Sequence, residues 1–437
     1  MGAETGAKQR RTEGAHGLLT ALLAGGIKSI LGVVGVFVVL VAIHEFGHFI
    51  VAKRAGVLAP RFAIGFGPPL WKFVRGETEY SVRLFPIGGF VQLSGEIPQD
   101  TFFKAGEAIA VSLDGAGRVE LIGDVDDLPD GITGTLSRID TARRFRMWIE
   151  TDDGPREFVL GDPCHLINGK DRIRLAPPSR QMNRKPLLAR MAIVLAGPVM
   201  NVLLAVVLFA IVAGVVGAVA GAPRIASVEG GSPAARAGLH SGDVVEAVNG
   251  SPVTNWGQLV TDIQTHPRDT LQMTVERSGR PLTLTVTPRK RQSGIGFIGV
   301  TPVVSHSLPV AVENGVSQTV GYTQLIFNGL GQLFHSPGTF TKDTAGPVKI
   351  VAVIGQQAQL GFVNLINLTA ILSLNLAIFN LLPIPALDGS RFLFMLVEAV
   401  RGKPIDPRKE YLAHAIGFSA LILFMVFRTY LDVTQLF

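Results

Sequence analysis

Cysteine is nearly absent from this chain, which has one such residue, Cys164, among 437. A single thiol excludes an internal disulfide framework and any zinc site built from several cysteines. Charged residues are also scarce, at 17%. The net charge of +6 is modest and lies mostly beside apolar runs, so it favours a role in membrane topology and predicts no nucleic-acid partner.

Apolar sequence, in contrast, is abundant. Hydrophobic residues make up 47% of the chain and its mean hydropathy is +0.37, which is typical of membrane proteins. A transmembrane helix needs about 20 apolar residues. Four runs are long enough, at residues 29–51, 187–219, 362–382 and 411–430. The sequence therefore predicts a polytopic α-helical membrane protein with about four transmembrane helices.

The first apolar run ends in His44, Glu45 and His48. Residues four positions apart share one face of a helix, so both imidazoles can reach one tetrahedral Zn²⁺. Glu45 lies on the adjacent flank, where it can take a proton from water. Ionisable groups are costly inside a bilayer, which favours a functional origin. The alternative is a chance match on a buried helix whose histidines bond to neighbouring backbone.

The third apolar run is interrupted by Pro383 and Pro385, which cannot continue a helix. Irregular backbone at membrane depth is tolerated only where it is buried in protein or lines a wet cavity. Asp388 follows this break and precedes a helical segment, a position typical of a helix cap. However, two histidine ligands need a third protein ligand that leaves one zinc position open for water. We therefore predict that Asp388 completes the metal site.

Two stretches between the first two apolar runs have β character. Residues 59–96 contain many glycines and prolines, and residues 78–85 alternate like a strand, which predicts a β-hairpin or small sheet close to the membrane. Residues 100–177 are more polar and alternate in short runs separated by turns. We expect a small soluble β-rich module there, to which the sequence assigns no purpose.

Residues 221–287 form a separate soluble domain whose order of strands and helices resembles a PDZ domain. The stretch SPAARAGLHSGDVVEAVNG, residues 232–250, is the most specific part of this likeness. PDZ domains bind an extended chain by adding it to a sheet edge beside a helix. The alternative is that the domain acts only as a steric shield.

The metal motif HEFGH at 44–48 and the motif NxxPxPxLDG at 380–389 together resemble the site-2 protease family of intramembrane zinc metalloproteases. In particular, they resemble the bacterial branch that carries a PDZ domain and cleaves anti-sigma factors. The resemblance extends over residues 30–96, 187–288 and 344–430, and it includes the GPVMN stretch at 197–201. An insertion at 100–177 has no match in it.

The resemblance implies that Zn²⁺ is the cofactor, held by His44, His48 and Asp388, and that Glu45 is the catalytic base. It also implies that Asn375 and Asn380 bind the extended backbone of the substrate; the alternative for both is hydrogen bonding between helices. The implied partners are transmembrane protein substrates, such as anti-sigma factors or signal-peptide remnants, within the lipid bilayer. A rival hypothesis is a non-proteolytic PDZ-containing membrane adaptor with a vestigial metal site.

The family orientation puts residues 52–190 and 389–410 in the cytosol of a bacterium whose cytoplasmic (inner) membrane holds this multi-pass chain. Most basic residues beside the apolar runs agree with it, although the basic residues at 8–11 would favour a cytosolic N-terminus. The predicted segments are an N-terminal polar and amphipathic segment (1–28), the helix with HExxH (29–55), a membrane-associated β-region (56–99), a cytosolic β-rich insertion (100–180), a second transmembrane helix (187–220), the PDZ domain (221–288), a linker with an amphipathic helix (289–361), a third transmembrane helix (362–389), a cytosolic connection (390–410) and a fourth transmembrane helix (411–431).

Overall fold

A computed structural model describes residues 26–96, 99–168, 171–219, 221–335, 346–405 and 407–436. The chain divides into two compact units. One unit ends at Ala205 and resumes at Gln324, and the other is Val206–Thr323. Most of the predicted N-terminal segment, residues 1–25, lies outside the described residues.

Among the described residues, four helices are long and apolar enough to cross a membrane: Gly26–Arg54, Leu187–Val216, Phe362–Leu381 and Lys409–Thr434. We call them the first to fourth apolar helices. Their outward side chains are largely apolar; Leu423, for example, is 71% exposed. Such surfaces are stable beside lipid but not beside water. The chain is therefore a membrane protein.

The third apolar helix ends at Leu381, earlier than the predicted residue 389. Pro383 and Pro385 explain this end, because neither can donate the backbone hydrogen bond that a helix needs. Residues 382–387, here called the ligand loop, connect it to a separate helix, Asp388–Arg401. That helix occupies much of the segment predicted as a connection at 390–410. The last helix of the chain, Pro407–Leu436, contains the fourth apolar helix.

The predicted β-region contains a long antiparallel hairpin made of β1 (Arg61–Arg75) and β2 (Thr78–Gln92). Its tight turn uses Gly76, whose φ of 63° favours glycine. At this turn Glu77 accepts hydrogen bonds from Lys53, at the end of the first apolar helix, and from Arg180, shortly before the second. Large apolar side chains are exposed along the hairpin, among them Leu70 at 66% and Trp71 at 61%.

Residues 108–175 fold around their own core as six strands: β3 (Ala108–Leu113), β4 (Val119–Gly123), β5 (Ile132–Asp140), β6 (Arg146–Thr151), β7 (Gly154–Asn168) and β8 (Asp171–Leu175). The order is β4-β3-β5-β6-β7-β8, and β4 also pairs in parallel with β7. This extra pairing closes five strands into a small barrel, which we call the inserted barrel. Cys164 lies in its core, where burial raises the pKa of the thiol to about 12 and makes it inert.

The second unit contains the PDZ domain. Its four-stranded antiparallel sheet includes Val244–Val248, Leu271–Arg277 and Arg280–Val286, and helix Trp256–Thr265 packs beside it. Asn255 caps this helix by accepting the backbone N–H of Gln258 at 3.0 Å.

The predicted C-terminal boundary of the PDZ domain at residue 288 is too early. Strand Val300–Pro302 pairs with Ile225–Val228 and so belongs to the same domain. The pairing joins residues about seventy-five positions apart, which local sequence patterns do not reveal. The predicted linker at 289–361 therefore begins with strands, and beyond them it contains helices Leu308–His335 and Pro347–Leu360.

Candidate metal centre

His44 and His48 lie near the end of the first apolar helix, on one face, as their spacing predicts. Their Nε2 atoms are 3.2 Å apart. The two ring planes are nearly perpendicular, and His44 is only 8% exposed. One helix thus presents two imidazole nitrogens to a single point.

Asp388 reaches the same point from the far end of the chain. Its Oδ2 atom lies 3.2 Å from His44 Nε2 and 3.4 Å from His48 Nε2. The capping role that the sequence left open is wrong, because the cap residue is Leu387 and no side chain caps this helix. The carboxylate of Asp388 faces the histidines instead.

These three side chains fit a zinc ion. Within the described residues they are the one group of such side chains whose donor atoms cluster closely enough to hold a metal. A tetrahedral Zn²⁺ with ligand bonds of about 2.0–2.1 Å needs donor atoms about 3.3 Å apart, and the observed separations are 3.2, 3.2 and 3.4 Å. Asp388 Oδ2 is also buried with no hydrogen-bond partner among the described residues. A cation would satisfy it, and three protein ligands leave one position open.

The backbone of the second apolar helix orients His48. The carbonyl oxygen of Ile193 lies 2.8 Å from His48 Nδ1. A carbonyl can only accept, so Nδ1 carries the proton and Nε2 keeps its lone pair for the metal.

Two glycines let the first and second apolar helices approach at the site. A Cβ atom at Gly197 would collide with the imidazoles of His48 and His44, and one at Gly47 would collide with the carbonyl of Ala196. Gly197 belongs to the GPVMN stretch, to which the sequence reading gave no role. The structure gives Gly197 a steric one: it leaves room for the histidine rings.

Glu45 lies beside the three candidate ligands and against the hairpin. Its carboxylate accepts a backbone hydrogen bond from Val91 on β2. Its Cγ also lies beside Gly89, so close that even a methyl group there would touch it. The structure therefore puts Glu45 between the ligands and a β-strand.

The two asparagines predicted to bind substrate differ in position. Asn380 lies at the centre, with Nδ2 3.4 Å from His44 Nε2. Asn375 is half-buried on the same helix, and no hydrogen bond in the described structure joins it to the ligands. The role in substrate binding stays a prediction for both.

Two residues lie at the site although the sequence did not predict them there. Asn201, fully buried on the second apolar helix, lies 3.3 Å from His44 Nδ1 through its amide. His414 of the fourth apolar helix accepts the backbone N–H of Ala386 at Nδ1, at 3.0 Å, and so supports the ligand loop. The GPVMN stretch could have indicated Asn201, whereas no local pattern indicates His414.

Comparison with known proteins agrees with this centre. The model of Peptidase family M50 matches residues 32–424. "Zinc metalloprotease RasP" of Geobacillus kaustophilus is 39% identical over 94% of this chain and 99% of its own length. "Regulator of sigma-W protease RasP" of Bacillus subtilis is 34% identical over 94% and 99%.

Among solved structures, the PDZ domain of an SdrC-like protein from Listeria monocytogenes is 20% identical. It covers 20% of this chain and 92% of its own, with a TM-score of 0.18. The family match covers most of the chain, and its range includes the three candidate ligands and Glu45. The chain therefore belongs to Peptidase family M50, the site-2 proteases, and is an intramembrane zinc metalloprotease.

Proposed function

We propose that this chain is a four-span protease of the bacterial cytoplasmic membrane that cleaves transmembrane segments near their cytosolic ends. The observation that carries the proposal is the convergence of His44, His48 and Asp388 within one apolar bundle, with Glu45 beside them. Ionisable groups inside hydrocarbon are costly, so their presence there indicates that they serve a function. A site at this depth can reach a substrate that also lies in the bilayer.

His44, His48 and Asp388 would hold Zn²⁺ through the atoms that cluster in the structure. When bound, the ion supplies a Lewis acid that polarises a peptide carbonyl and lowers the pKa of water. Glu45 takes the proton from the attacking water and returns it to the leaving amine. The hydrogen bond from Val91 keeps the carboxylate in place for both transfers.

A transmembrane helix conceals its carbonyl groups in its own hydrogen bonds, so the substrate must be extended before it is cut. Strand β2 lies against Glu45, and an extended chain could add to the edge of the hairpin there. Asn380, next to the ligands, is positioned to hold the substrate backbone. We assign the same role to Asn375, which lies five residues earlier on the same helix.

The substrate class is a membrane protein. The Bacillus subtilis relative is named as a regulator of sigma-W, which favours anti-sigma factors for this chain as well. Removal of signal-peptide remnants would use the same chemistry. The basic residues beside the apolar helices favour a cytosolic inserted barrel and a PDZ domain on the outer side.

Replacement of Glu45 by glutamine tests the proposal. Glutamine cannot accept the proton, so cleavage of a transmembrane substrate should fall by about 100- to 10,000-fold. Because Glu45 is not among the proposed ligands, the purified variant should keep about one zinc per chain, the content that we also expect of the wild type. Near-normal cleavage by Glu45→Gln would contradict the mechanism. A wild-type chain that binds no zinc would instead favour the adaptor hypothesis.

A further inference from the structure

Asn201 has an unusual environment beside the metal ligands. It lies one helical turn after Gly197 on the second apolar helix, and it is fully buried. Its amide is 3.3 Å from Nδ1 of His44. The side-chain oxygen Oδ1 is buried and has no hydrogen-bond partner among the described residues.

The chemistry of His44 decides which end of this amide belongs at Nδ1. A neutral imidazole carries one proton, and the nitrogen that binds a metal must be the other one. Since Nε2 of His44 faces Asp388 and His48, Nδ1 must carry the proton and needs an acceptor. The amide oxygen can accept this proton, whereas the NH₂ group cannot.

We propose that Asn201 is the positioning residue of His44: its Oδ1 accepts the Nδ1–H and fixes both the tautomer and the rotation of the ring. A half-turn of the amide about its Cβ–Cγ bond brings the unpartnered oxygen to Nδ1. Asn201 then does for His44 what the carbonyl of Ile193 does for His48. Outer partners of this kind raise the basicity of the ligand nitrogen and also fix the orientation of the ring.

The backbone of Asn201 also bonds to the third apolar helix. The hydroxyl of Ser373 donates to the backbone carbonyl of Asn201 at 2.8 Å, and both residues are fully buried. Because this bond uses the backbone carbonyl, the side-chain amide remains available to bond with His44. It also supplies a matched control, because Ser373→Ala removes a buried bond at the same place without changing the amide.

The competing explanation is that Asn201 only bonds helices together, with its NH₂ group donating to His44. The two explanations predict opposite effects for Asn201→Leu. Our proposal expects this variant to lose zinc affinity because Nδ1–H loses its acceptor, and it expects Asn201→Asp, whose carboxylate is a stronger acceptor, to bind zinc at least as tightly as the wild type. If the amide instead donates to Nδ1, it holds the proton on Nε2 and opposes metal binding, so Asn201→Leu would leave zinc affinity unchanged or raise it.

The experiment measures zinc affinity by chelator competition on the full-length protein in lipid nanodiscs. Asn201→Leu, similar in size but without an acceptor, should bind zinc about 10- to 100-fold more weakly. Asn201→Asp should restore the affinity, and Ser373→Ala should stay near the wild type. Unfolding temperatures of the zinc-free proteins report any purely structural loss.

Wild-type affinity in Asn201→Leu would overturn the proposal, and so would a weakened Asn201→Asp. Asn201→Asp, which keeps the size of the native side chain, keeps the proposal falsifiable even if Asn201→Leu does not fold. The proposal rests on the zinc ligands of the proposed function, but its readout needs no substrate. Failure to cleave membrane proteins and failure of this inference are therefore separate outcomes.

Discussion

The metal centre is built from two regions that hold their ligands in different ways. His44 and His48 belong to a regular helix, whose periodicity sets their spacing without help from the rest of the chain. Asp388 follows the ligand loop, in which Ala386 has a φ of 88°, rare for a residue other than glycine. The helix sets the spacing of its two histidines by itself, whereas the loop needs partners to keep its shape.

Those partners come from distant parts of the sequence. His414 accepts the N–H of Ala386, and the chain at Gly417 lies so close to Pro385 that a side chain would collide with it. Gly389 meets the carbonyls of Leu381 and Leu382 in the same way. The comparison indicates that remote substitutions should reach the site through Asp388 more readily than through the histidines.

The largest effect is expected for Asp388→Asn, which removes the charge from the loop-borne ligand. Loss of an outer partner already costs about 10- to 100-fold in metal affinity, so loss of a ligand's charge should cost at least the upper end of that range. Zinc titration and a cleavage assay on the same preparation should decline together. Normal zinc content and activity would show that Asp388 is not a ligand.

Gly197→Ala tests the helix-borne ligands, because it fills the space that the rings of His44 and His48 occupy. The added methyl group would collide with both imidazoles. Overpacking costs about 1–3 kcal/mol, or about 5- to 150-fold in zinc affinity if the rings bear it. Gly35→Ala on the first apolar helix is the control, because its methyl group would meet nothing within 4 Å. Equal zinc affinities in the two variants would refute this steric role.

A smaller effect is expected for His414→Leu, which leaves the N–H of Ala386 without its acceptor. An unpaired buried donor costs about 1–3 kcal/mol. Part of that cost weakens the protein with or without zinc, so zinc affinity should fall by about tenfold or less. His414→Asn keeps an acceptor close to the chain and should retain more affinity. If both variants bind zinc like the wild type, the loop does not depend on this support.

The sequence predicted what depends on local pattern. The spacing of His44 and His48, the apolar helices and the β-hairpin after the first of them all follow from a few neighbouring residues. The contact between Asn201 and His44 could not be predicted, because it depends on how two helices rotate against each other. The late end of the PDZ domain and the parallel pairing of β4 with β7 were likewise hidden, since both join strands far apart in the chain.

The closed inserted barrel matters if the hairpin binds substrate as we propose. A protease that captured extended backbone at a strand edge would be at risk of capturing its own free edges. All five strands of the inserted barrel have neighbours on both sides; the sixth strand of this sheet, β8, is an edge and is only five residues long. A barrel built in this way exposes little backbone that the hairpin could bind or that could start aggregation.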